Sequence, residues 1–189
     1  QLAENVEVVV VGKIGVRGAM TPAASDALGP DTHELIRRCP RPVLITGSAP
    51  TAMDRVLVAY AGGPTSEGAL AYAARFAGIT GAHLDVVHVG ANPEDGRQAL
   101  ARASGALSIT PLDFELHLFE GDLDLAVSRA LTQFDSNALF VGAHREEQGW
   151  FVPSHAAAIL RTTEIPVLVQ MAPVTPGART SAAHRRPSH

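Results

Sequence analysis

Short apolar runs alternate along this chain with stretches whose apolar residues recur every three or four positions. The first such run, Val56 to Tyr60, predicts a strand, and Leu70, Ala73, Ala74 and Ala77 mark one face of the helix after it. Leu84 to Val89 predicts a second strand, followed over Asn92 to Ala106 by a helix with Leu100 and Ala103 at helical spacing, weakened by Gly96 and Gly105. Phe114, Leu116 and Leu118 or Phe119 alternate as a third strand. Asp122 opens the clearest helix, with Leu123, Ala126, Val127, Ala130, Leu131 and Phe134 on one face. Ala138 to Val141 predicts a fourth strand, Ser154 an N-cap before Ala156, Ile159, Leu160 and Thr163, and Pro166 to Val169 a fifth strand. This strictly alternating βαβαβαβαβ order, with strands too apolar to have a wet face, implies an α/β fold: an open parallel five-stranded sheet with helices on both faces.

The first 46 residues carry a partial copy of the same pattern. Val8 to Val11 followed by Gly12 mirrors Ala138 to Val141 followed by Gly142. Ile36 to Ile45 reads IRRCPRPVLI and Leu160 to Val169 reads LRTTEIPVLV, with Arg37/Arg161, Pro42/Pro166, Val43/Val167 and Leu44/Leu168 identical at an offset of 124. The helix face Thr32, Leu35, Ile36 and Cys39 likewise shifts onto Ala156, Ile159, Leu160 and Thr163, and Asp31 with Glu34 forms a capping pair. Residues 1–46 therefore read as a β-α-β copy of the last third of the later domain, 47–53 as a linker, and 54–171 as the complete domain. A strand that begins so close to Gln1, without an initiator methionine, is expected of a chain starting inside a domain. The Pro-, Ser-, Ala- and Arg-rich segment 172–189 has no periodicity and is expected to be a disordered tail.

Composition narrows the functional classes. With 46% hydrophobic and 18% charged residues, the 189-residue chain has ample core material and too little charge for a disordered polymer. A formal net charge of -4 provides no basic field for nucleic acid apart from Arg179, Arg185 and Arg186 in the tail. No apolar run approaches the ~20 residues of a bilayer crossing, no signal-like segment is visible, and the single cysteine, Cys39, suits a reducing compartment. No membrane or nucleic-acid partner is expected, and a cytoplasmic location is.

The segments MDRVLVAYAGGPTSEGALAYAARFAG, DVVHV, ALFVGAH and PSHAAAILRTTEIPVLV, in this order and spacing, resemble a universal stress protein (UspA-like) domain over residues 54 to 171. Residues 5 to 46, with VEVVVVGKIGVRG and GPDTHELIRRCPRPVLI, resemble the terminal part of another such domain, as in the C-terminal portion of a tandem universal stress protein. The resemblance implies strand order 3-2-1-4-5, pairing between domains through their final strands, and a ligand cleft beyond the carboxyl ends of strands one and four. In ATP-binding members the first strand ends in an Asp that meets the adenosine part, usually as D-G-S. The matching triplet here is Ala61, Gly62 and Gly63. A methyl group cannot accept the hydrogen bond an adenosine contact requires. The family's phosphate loop has Gly, two residues, Gly, nine residues, then Gly and Ser or Thr. This chain keeps Gly142 and the hydroxyl of Ser154, but carries Arg145 and Pro153 at the other two glycine positions, in a loop two residues shorter. Proline has no N–H to donate, and Glu146 with Glu147 outweighs Arg145. The expectation is a degenerate ATP site, reduced to Gly62, Val89, Gly142, Ala143 and Ser154, with no cofactor; ATP is disfavoured. The N-terminal copy keeps Gly12, Gly15 and Gly29, and Lys13 and Arg17 against Asp26 make it the more phosphate-friendly loop.

Other chemistry is absent from the pattern. His144, Glu146, Glu147 and His155 match no metal-ligand spacing, and Ser154 beside His155 lacks an orienting carboxylate. His88 and Cys39 read as packed side chains, and Trp150 with Phe151 as packing residues of the loop. No catalytic residue and no metal site are expected. The sequence thus points to a non-enzymatic stress-response or regulatory domain acting through assembly or partner binding, the alternative being an adenine-nucleotide-binding module of altered geometry. Val43 to Ile45 is expected to dock against Val167 to Val169, leaving Val8 to Val11 as an apolar edge that favours a homo-oligomer.

Overall fold

A computed structural model describes residues 7–13, 32, 35, 36, 38–47, 51–143 and 163–171. Its elements run β1 (Val9–Gly12), β2 (Val43–Thr46), β3 (Arg55–Ala59), α1 (Pro64–Thr80), β4 (His83–Val89), α2 (Pro93–Leu107), β5 (Phe114–Phe119), α3 (Leu123–Gln133), β6 (Ala138–Ala143) and β7 (Val167–Met171). Thr32, Leu35, Ile36 and Arg38, between β1 and β2, are helical. The strands form one sheet in the order β1-β2-β7-β6-β3-β4-β5. From β3 onward, therefore, the five strands lie third, second, first, fourth, fifth across the sheet. Parallel pairing prevails except between β2 and β7, which are antiparallel.

That exception shows what the internal repeat does. Leu44 pairs with Leu168, Val43 with Val169 and Ile45 with Val167. Because Leu44 and Leu168 are equivalent positions of the repeat, they face each other across an approximate local two-fold, and the neighbouring pairs exchange equivalents around it. The flanking register repeats as well, Val9 pairing with Val43 as Leu139 pairs with Val167. The partial copy thus continues the sheet, as its sequence implies, and β1 is its outer strand among the described residues.

Two apolar layers cover the sheet. On one face Val56, Val58, Tyr60, Leu84, Val86, Phe140 and Leu168 pack against Leu70, Ala73 and Ala77 of α1 and Ala99, Ala103 and Leu107 of α2. On the other, Leu57, Val87, Leu139, Val141, Val167 and Val169 pack against Val127 and Ala130 of α3 and against Ile36 and Cys39 of the partial copy. Both faces being dry explains why the strands read as nearly continuous apolar runs.

Local signals set the helix ends. Asp122 accepts hydrogen bonds from Asp124 N and Leu125 N, and Asn92 accepts one from Glu94 N, so each side chain satisfies donors that a helix start leaves without partners. Gly81, with φ +76°, ends α1 in the left-handed conformation that glycine adopts without a Cβ penalty. Gly96, a weak helix former by propensity, does not interrupt α2. It is buried, and a Cβ there would run into the Leu118 side chain of β5, so close helix-to-sheet approach explains the residue. The predicted helix over 154–163 and the tail 172–189 lie outside the described residues.

Candidate functional site

The cleft implied by strand order opens where β3 and β6 end side by side. Tyr60, just past β3, donates its N–H to Val87 O and is buried. The chain then turns through Ala61, which is exposed, and Gly62, whose φ of +78° favours glycine. Gly63 caps α1: its N–H donates to Ser66 Oγ at 3.1 Å, and the Ser66 hydroxyl donates back to Gly63 O at 2.9 Å. Thr65 and Ser66, in the first turn, are buried.

Close approach of backbone requires glycine at 142, and the positive φ favours it at 62. A Cβ on Gly142 would lie 2.5 Å from Ser66 N and from Thr65 C, so the end of β6 rests directly on the backbone of the first turn of α1. A Cβ on Gly62 would lie 2.6 Å from a guanidinium nitrogen of Arg102 and 3.4 Å from Ala99 Cβ. The structure therefore brings Gly62, Val89, Gly142 and Ala143 to the carboxyl ends of adjacent strands, Val89 in register with Phe119 and Ala143 with Met171. Ser154, Pro153, Arg145 and the rest of the shortened loop lie outside the described residues.

Two side chains at this end were not foreseen as neighbours of the turn. Arg102 comes from the middle of α2, and nothing in its local sequence announces that its guanidinium reaches the Gly62 turn. His88 holds its Nδ1 2.9 Å from Tyr60 O and is buried, so it clamps the end of β4 to the end of β3. In the partial copy, Lys13 is committed to structure: its Nζ donates to Thr163 O at 3.1 Å and lies 3.6 Å from Glu164 Oε1. That ammonium ties the two copies together and weakens the case for a phosphate-binding loop there.

A separate hollow of about 300 Å³ lies between α1 and the start of β2, lined among others by Glu7, Arg41, Tyr72, Arg75 and Gln170. Glu7 and Arg75 form an exposed ion pair across it at 2.7 Å. Burial chiefly, then the Glu7 carboxylate, raises the Tyr72 phenol above its ordinary value, against an opposing pull from Arg75. The hydrogen bond to Glu7, then the charge of its carboxylate, raises Arg75 above its ordinary value.

A doubly covered sheet with its cleft at the β3 and β6 ends defines a class, and comparison with known proteins supplies the family. Residues 53–170 match the family model described as "Universal stress protein family", and the chain belongs to that family. It is 29% identical over 172 residues to the universal stress protein Slr1230 of Synechocystis sp., spanning 88% of this chain and 58% of that protein. Among solved structures, a universal stress protein from Archaeoglobus fulgidus superposes with a TM-score of 0.70 at 19% identity, over 92% of this chain and 63% of that one. A universal stress protein in complex with cAMP gives a TM-score of 0.51 at 20% identity, over 64% of this chain and 98% of that one. At these identities the structural likeness establishes the fold. The chain spans less than two thirds of the length of its Synechocystis and longer Archaeoglobus relatives. No helix of the described residues is long and apolar enough to cross a membrane.

Proposed function

We propose that this chain is a non-enzymatic stress-response module whose nucleotide cleft has degenerated and which acts through assembly with copies of itself or with a protein partner, as part of a tandem universal stress protein working in the cytoplasm. The observation that carries the reading is Ala61. It stands exposed at the end of β3, where the family resemblance places a carboxylate, and its methyl side chain offers no acceptor to an adenosine. Losing one buried or ligand-facing charge-assisted hydrogen bond costs roughly 1.5–3 kcal/mol, a ten- to hundred-fold change in affinity on its own. The replacement of two loop glycines by Arg145 and Pro153 works in the same direction.

One observation favours the second reading, an adenine-nucleotide module of altered geometry. Arg102 presents a guanidinium at the Gly62 turn, beside the first turn of α1, where backbone donors and the helix dipole already favour an anion. Calorimetric titration with ATP and with ADP in the presence of magnesium separates the two. A flat isotherm at submillimolar nucleotide is expected. A saturable isotherm with a dissociation constant of ~10 μM or tighter, abolished by Arg102→Ala, establishes the second reading instead.

A further inference from the structure

We propose that Asp85, Glu115 and His117, with His83 beside them, form a binding site for a divalent transition-metal ion of the zinc class, at the opposite end of the strands from the cleft. The three side chains come from β4 and its edge neighbour β5, where Asp85 and Glu115 are in register and His117 follows on the same face. One ligand atom from each lies within 4.8 Å of the others. His117 Nε2 is 3.0 Å from Asp85 Oδ1 and 3.7 Å from Glu115 Oε2, and His83 Nε2 is 3.5 Å from Asp85 Oδ1. Ligand atoms on a tetrahedral ion with bonds of about 2.0–2.1 Å sit about 3.3 Å apart, so Asp85, Glu115 and His117 can close on such an ion by side-chain adjustment, while His83 has to turn further in to become a fourth ligand.

Burial and charge point the same way. Asp85 is fully buried with its Oδ2 held by Arg55, and His83 Nε2 is a buried atom without a hydrogen bond. Arg55 approaches Asp85 at 3.0 Å between Nε and Oδ2 and at 3.5 Å from a terminal nitrogen to Oδ1. This leaves Oδ1 as the oxygen turned toward both imidazoles. His83 Nδ1 donates to Asp113 Oδ2 at 2.8 Å, the outer-sphere carboxylate that commonly orients a ligating imidazole. With neutral imidazoles, Asp85, Asp113 and Glu115 against Arg55 leave a formal charge of about -2, which a divalent cation neutralises. His117 also stacks on Phe134, the C-cap residue of α3, so the negative end of that helix adjoins the site. Glu115 and Asp113 are largely exposed and provide the entry path from the sheet edge.

The test is titration of the metal-free full chain with Co²⁺, read by its visible absorption, followed by displacement with Zn²⁺ and by Zn²⁺ calorimetry. Binding of one ion with a tetrahedral cobalt spectrum is expected. His117→Gln should abolish that spectrum, and Glu115→Gln, at an exposed side chain that folding does not need, should weaken Zn²⁺ binding about ten-fold or more. Should His117→Gln fail to fold, Glu115→Gln and Asp113→Asn decide the matter, the latter also weakening binding about ten-fold. Absence of a tetrahedral spectrum overturns the proposal, as does Zn²⁺ binding that Glu115→Gln and Asp113→Asn leave unchanged. The second result would mean that other histidines of the chain hold the ion.

Discussion

Gly142 and Ala61 show how differently two small residues at one cleft are constrained. Gly142 is enforced by packing: its neighbours in the first turn of α1 are backbone atoms, which cannot move aside as a flexible side chain can. Gly142→Ala should therefore destabilise the fold by about 1–3 kcal/mol, seen as a lower urea midpoint with an unchanged slope. Ala61 meets no such constraint, being exposed. A glycine ending a strand was legible in the sequence, but its reason was not. The residues it touches, Thr65 and Ser66, lie far from it along the chain. Asp85 is the stronger case. It sits inside a run read as apolar, and its partners Arg55 and His117 come from two other strands, so only strand pairing reveals that a buried charge is matched.

The elements were legible wherever one helical turn or one strand decides its own fate. Every strand expected from the apolar runs is present to within two residues at either end, since a parallel sheet buried on both faces demands such runs. α3 starts where Asp122 predicts, and the cap explains why. Asp122→Ala should cost about 1 kcal/mol, within the 0.5–2 range of such caps, measurable as a lower urea midpoint, while Asp122→Asn should cost much less. α2 was read as weakened because propensity alone penalises Gly96. Tertiary packing on Leu118 outweighs that penalty. The pairing of β2 with β7 was also legible, from the repeat together with the family resemblance, and its antiparallel register places equivalent residues on a shared two-fold.

Among the described residues, the partial copy moves the outer edge of the sheet from β7 to β1. There Val10 is 58% exposed, while Val9 and Val11 are half-buried. An apolar edge strand with unpaired backbone groups is a template for another strand. Fully burying a valine yields about 1.5–3 kcal/mol, so covering even part of this edge favours association appreciably. Under the proposed function, association through β1 is the expected mode of assembly. Lysine at an edge blocks strand pairing by its charge without disturbing the strand's own parallel partner. Multi-angle light scattering of the purified chain and of Val10→Lys, at ~100 μM, tests this most directly. The account predicts a dimer or larger assembly for the parent chain and a shift toward monomer for Val10→Lys, with the urea midpoint unchanged. A stable, soluble monomer for the parent chain, or an assembly that Val10→Lys leaves intact, would contradict it.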